Sequence, residues 1–127
     1  TSGSGTFNYG VYNNSSSPSM DNVTATATGG DVNFGVYNSS SSPSMNNVTA
    51  TATGGGVNNR GVSNVSSSLP SIRNSSITGS PNSIVNSGSS SAQVADTMLD
   101  GPVDAGAGLA CVGVYTTAFV ALNNSCL

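Results

Sequence analysis

Few side chains in this sequence can do acid, base or nucleophilic chemistry. The carboxylates are Asp21, Asp31, Asp96, Asp100 and Asp104, the cations are Arg60 and Arg73, and there is no His and no Lys. Glycoside hydrolysis needs two carboxylates about 5–10 Å apart. Only Asp100 and Asp104, on either side of Gly101-Pro102, are placed to approach each other. Asp96 falls where other repeats carry Asn, so it reads as structural. With no His and no Lys, a nucleophile paired with either of those bases is excluded. A Ca²⁺ site at Asp100 and Asp104 would lack the Gly-Gly-x-Gly-x-Asp nonamers of calcium-binding repeats. The expectation is a protein that is not an enzyme, with no catalytic residue, no metal and no cofactor.

Cys111 and Cys126 are the remaining reactive pair. A metal site would need a His or a third Cys, so the expectation is a disulfide closing the last unit. In the chain-entropy model such a loop stabilises by about 3 kcal/mol. It implies an oxidising compartment, hence an extracellular or cell-surface location.

Repeats must position these groups. Gly10 to Gly30, GVYNNSSSPSMDNVTATATGG, returns as GVYNSSSSPSMNNVTATATGG from Gly35 to Gly55, at an offset of 25. Only Asn14 against Ser39 and Asp21 against Asn46 differ. A fixed period in this range means stacked structural units. The units then degenerate: coils are expected at 10–34, 35–60, 61–82, 83–110 and 111–127, with Gly101 to Ala110 as an insert.

Ser, Thr, Asn, Gly and Val are poor helix formers, and the alternation in VTATAT has the strand period of two. The expected fold is all-β, one β-solenoid domain of about five coils. Leu, Ile, Val and Phe make up about a fifth of the chain, which suits a solenoid better than a round core. Three inward columns are expected: Val11, Val36, Val62, Ile84 and Val114; Met20, Met45, Ile72 and Val94; Ala25, Ala50, Ile77 and Leu99. Two Asn columns are read as amide ladders: Asn13, Asn38, Asn64 and Asn86, then Asn22, Asn47 and Asn74 with Asp96 in register. Inward ladder positions exclude glycans at Asn22 and Asn47, which leaves Asn14 and Asn38 as glycan acceptors.

Two Lys plus Arg and a net charge of -3 exclude a basic nucleic-acid footprint. No apolar run approaches the roughly 20 residues of a membrane span. The abrupt start at Thr1 reads as a processed mature protein.

The GVYNSSSSPSMNNVTATATGG units, the RNSSITGS variant and the terminal CVGVYTTAFVALNNSC resemble bacterial secreted proteins with right-handed parallel β-helix repeats. The resemblance implies a right-handed parallel β-helix over the whole chain. Its members include adhesins, fibre shafts and polysaccharide-degrading enzymes.

Open solenoid ends template association. The first coil carries Phe7, Tyr9, Val11 and Tyr12, with no covering segment before it; the last carries Phe119, Val120 and Leu122. The expected function is a structural subunit of an extracellular filament or surface appendage, its partner a second copy of itself, head to tail. The alternative is a glycan-binding, adhesive shaft, single or trimeric, with Tyr12, Tyr37 and Tyr115 as stacking platforms. Thr24, Thr26 and Thr28 over Thr49, Thr51 and Thr53 form a flat outward array, as on some ice-binding solenoids. Thr on a solvated strand face explains it as well.

Overall fold

The computed structural model describes residues 1–54 and 56–127. Gly55, which ends the second repeat, lies outside the described residues. Among the described residues there are fifteen strands, three to a rung. Rung one holds β1 (Phe7–Asn14), β2 (Ser19–Asp21) and β3 (Thr24–Thr28). Rung two holds β4 (Val32–Ser39), β5 (Ser44–Asn46) and β6 (Thr49–Thr53). Rung three holds β7 (Asn58–Val65), β8 (Ser71–Arg73) and β9 (Ser76–Gly79). Rung four holds β10 (Pro81–Asn86), β11 (Ser91–Ala95) and β12 (Met98–Asp100). Rung five holds β13 (Val103–Asp104), β14 (Gly108–Val112) and β15 (Tyr115–Thr116). Like strands pair in parallel into three five-stranded sheets, β1-β4-β7-β10-β13, β2-β5-β8-β11-β14 and β3-β6-β9-β12-β15. The fold is a parallel β-solenoid.

Alternation decides which side chains enter it. In β3 and β6 the Ala residues Ala25, Ala27, Ala50 and Ala52 are buried and the intervening Thr face outward. The second column pairs as Met20, Met45, Ile72 and Val94, and continues to Cys111. The third pairs as Ala25, Ala50, Ile77 and Leu99. The first runs Val11, Val36, Val62 and Ile84, then ends on Val103. Val114 is therefore not its fifth member. It lies one rung beyond Thr97, since Met98 pairs with Tyr115, and it is buried elsewhere in the core. The last rung accordingly starts near Val103. The stretch from Gly101 to Ala110 is no insert, because it supplies β13 and most of β14.

The corners need left-handed backbone. Asn22, Asn47, Asn74 and Asp96 have φ of 56°, 53°, 48° and 46°, and Gly113 follows at 64°. Asn and Asp tolerate this region better than most L residues. Their column exists for its backbone. Its side chains are exposed, where inward positions were expected. Asn47 Nδ2 donates to Asn22 Oδ1 (2.6 Å), but Asn74 Nδ2 crosses to Asn46 Oδ1 (3.0 Å), so the ladder breaks at the third rung.

The other Asn column is a continuous buried ladder. Asn13 Nδ2 donates to Asn38 Oδ1 (2.9 Å), Asn38 to Asn64 (2.8 Å) and Asn64 to Asn86 (2.7 Å). Asn86 Nδ2 then reaches the carbonyls of Ala105 and Gly108. Asn38 is fully buried, which removes it as a glycan acceptor. Exposed Asn22 and Asn47 lose the reason they were excluded. Two hydroxyl ladders went unread in the sequence. Ser41, Ser68 and Ser90 each accept the backbone N–H of the rung before, from Ser16, Ser41 and Ser68. Ser75 accepts from Val48 N–H and Thr97 from Ser75 N–H.

Candidate functional site

The most developed surface feature is an aromatic cluster on the outer face of β1, β4 and β7. Strict alternation would turn Tyr9 inward with Val11. Instead the alternation slips at Gly10 and Gly35. A Cβ at Gly10 would lie 2.5 Å from Gly35 O and 2.7 Å from Thr26 N, and one at Gly35 would lie 2.6 Å from Gly61 O. Backbone occupies the space a side chain would need, so only Gly fits there. Past that contact, residues three apart fall on the same side of the sheet, Tyr9 with Tyr12 and Phe34 with Tyr37, and the register puts Arg60 and the fully buried Ser63 in line with them.

Parallel pairing stacks these in two columns. One runs Tyr9, Phe34, Arg60; the other runs Tyr12, Tyr37, Ser63, Val85, Asp104. Tyr9 stacks on Phe34 at 5.2 Å and 11°, and Tyr12 on Tyr37 at 5.4 Å and 28°. Tyr37 meets Phe34 edge-on at 4.9 Å and 69°. The Arg60 guanidinium lies 5.8 Å from the Phe34 ring centre, within cation–π reach. Each ring pair is worth about 0.5–1.5 kcal/mol beyond its buried area. Phe34 is buried, while Tyr12 keeps 53% of its surface exposed. Burial first, then the Tyr37 and Tyr12 phenols, push the Tyr9 hydroxyl above its ordinary pKa of 10.0.

Tyr12 and Tyr37 thus sit together, but Tyr115 does not join them. It lies on β15 in another sheet, stacked on Phe119 at 5.9 Å and 6°. Phe34 and Arg60 were missed as site residues. Their signal was the Gly at the same place in three repeats, next to an aromatic or Arg.

The residues expected at the ends divide. Phe7, Tyr12, Phe119 and Val120 are exposed. Tyr9 is half-buried in the aromatic cluster, and Val11 and Leu122 pack against the core. The segment after β15 folds back over the last rung. Tyr115 bridges Ala121 antiparallel, Leu122 N–H donates to Val114 O (2.8 Å) and Cys111 N–H to Asn124 O (2.9 Å). Cys111 and Cys126 are disulfide-bonded with Cα atoms 5.6 Å apart, both buried. This arm covers β14 and β15.

Thr24, Thr26 and Thr28 pair with Thr49, Thr51 and Thr53. Residues 1–3 run beside this array, with Ser2 bridging Thr28 and the terminal amine donating to Thr26 O. Among the described residues, no helix is long and apolar enough to cross a membrane. A concavity of about 540 Å³ lies along β8, β11 and β14, bordered by Arg73, Gln93, Asp96 and Asn124. No protein-family model matches the chain, and no curated protein or solved structure matches it either.

Proposed function

We propose that the chain is a structural β-solenoid shaft of an extracellular surface appendage, and that it adheres to carbohydrate through its aromatic face. The observation carrying this reading is the grouping of Tyr9, Tyr12, Phe34, Tyr37 and Arg60 on one lateral face. Sugar rings present apolar C–H faces that rest on aromatic rings, with hydroxyls that bond polar neighbours. A parallel solenoid holds such rings at the rung spacing of about 4.8 Å, on a scaffold of backbone and amide ladders. The buried disulfide supports work in an oxidising environment. The test is affinity gel electrophoresis against a panel of soluble polysaccharides. Retardation by at least one of them, lost in Tyr12→Ala/Tyr37→Ala, is expected; unretarded migration on every gel sinks the reading.

A second reading, head-to-tail self-assembly, is favoured by the arm, where Phe119 (84% exposed), Val120 (58%) and Leu127 (72%) turn apolar surface to solvent. Such a heterologous contact makes an open filament. Negative-stain microscopy of concentrated protein should then show fibres that Phe119→Asp disperses. Val11 is unsuitable for that test because it packs on the core.

A further inference from the structure

We infer that the aromatic face includes a carboxylate-reading subsite at Arg60 and Ser63, so that its saccharide ligand is acidic, built of uronic acid units. The inference rests on the carbohydrate reading above and narrows it. Among the described residues, two buried side-chain polar atoms lack a hydrogen-bond partner: Arg60 Nε and Ser63 Oγ. They belong to the same strand, β7, three residues apart. That spacing puts Tyr9 with Tyr12, and Phe34 with Tyr37, on the outer face, and the register places Arg60 beyond Phe34 and Ser63 beyond Tyr37. Both orphans therefore border the aromatic cluster.

The contrast with the rest of the interior sharpens this. The buried Asn13, Asn33, Asn38 and Asn64, and the hydroxyls of Ser41, Ser68 and Ser83, are all bonded. An unpaired buried polar group loses its bonds to water and gains none from the protein, which weighs against folding. Among the described residues the other buried polar side chains are satisfied, and two are left together where a ligand would complete them. Arg60 supplies a planar cationic fork suited to a carboxylate, and Ser63 an adjacent O–H donor. Arg60 is half-buried and held over Phe34, so its position is set before a ligand arrives. The nearest carboxylate in these columns is Asp104, two rungs past Ser63. An acidic chain would thus run from Arg60 toward Tyr12 and away from Asp104.

The probe is polygalacturonate against its fully methyl-esterified form, which keeps the sugar rings and masks the charge. Isothermal titration calorimetry of the intact chain should show tighter binding of the acid form by about tenfold or more. That preference should shrink as salt rises from 0.02 to 0.5 M, concentrations spanning Debye lengths of roughly 20 to 4 Å. Arg60→Gln should erase the preference, and Arg60→Lys, with charge but no planar fork, should restore part of it. Equal binding of the two forms by the unmodified chain overturns the subsite and leaves the carbohydrate reading intact. So does a preference that persists in a folded Arg60→Gln. If the variant fails to fold, the comparison of acid, ester and salt on the unmodified chain still decides. Binding of neither form overturns the subsite, and the wider polysaccharide panel then decides the carbohydrate reading separately.

Discussion

The first two rungs and the last two follow the same backbone course but are held together differently. Rungs one and two enclose a thin core, with Ala25, Ala27, Ala50 and Ala52 on one sheet and Met20 and Met45 on another. Their added contacts lie outside, in the stacked rings of Tyr9, Phe34, Tyr12 and Tyr37. In rungs four and five the core gains Ile84, Leu99, Val94 and Val114, and the positions in line with Tyr12 and Tyr37 carry Val85 and Asp104 instead of rings. Closure there comes from the arm and the Cys111–Cys126 bond. Near-identical repeats allow identical side chains to stack on themselves, as amide on amide and ring on ring. Once the repeats diverge, that device fails. Asn86 ends the buried ladder on backbone carbonyls, and apolar bulk with a covalent staple takes over.

The sharpest way to break this comparison is to charge the middle of the core. Ile72→Asp puts an unpaired carboxylate between Met45 and Val94 and should cost several kcal/mol, enough to abolish the β signal in far-UV circular dichroism. A folded variant of ordinary stability would show that the column is not the core. Next in size, Leu99→Ala should lose about 2–5 kcal/mol in urea unfolding, whereas Ala50→Gly should lose about 0.5–1 kcal/mol. Equal losses would erase the distinction between a thin end and a filled one.

The staple comes third. Replacing Cys111 and Cys126 with Ser should lower stability by about 3 kcal/mol. Amide exchange should speed up at position 111 and at Leu122 while staying slow at Val36 and Asn38. Uniform loss of protection would mean that the arm holds the whole solenoid.

Two Asn columns give a finer contrast. Asn38→Ala breaks a buried ladder on both sides and should cost about 1–3 kcal/mol. Asn47→Gly keeps the left-handed corner available and should change stability by no more than about 0.5 kcal/mol.

The smallest effect expected is with pH. Tyr9 has a raised pKa in the fold, so the native state holds this proton more tightly than the unfolded chain does. Its contribution is complete below the ordinary value of 10.0 and declines as pH rises past it. Absorbance at 295 nm should show a phenol ionising above the ordinary value of 10.0, and Tyr9→Phe should remove that step.

Several features were legible in the sequence because they depend on period alone. The repeat of 25, the alternation in TATAT and the aligned Met, Ile and Val positions specify parallel rungs of two or three strands around an apolar axis, and the structure settles on three. The two cysteines, with no His to compete, specify their bond. Tertiary structure decided matters that depend on how one strand meets another. Period cannot show that Gly10 and Gly35 press against neighbouring backbone, and that contact turns Tyr9 outward to meet Tyr12, Phe34 and Tyr37. Nor can it tell a ladder Asn from a corner Asn: Asn38 and Asn47 recur equally well, and only their backbone angles and burial separate them. The fifth rung was misplaced for a similar reason. Gly113-Val114-Tyr115 copies the opening of the first repeats in letters, while Val103 takes the place of Val11 in space. A parallel strand is chosen by the edge it completes, and a two-residue strand such as β13 carries too little sequence to announce which edge that is.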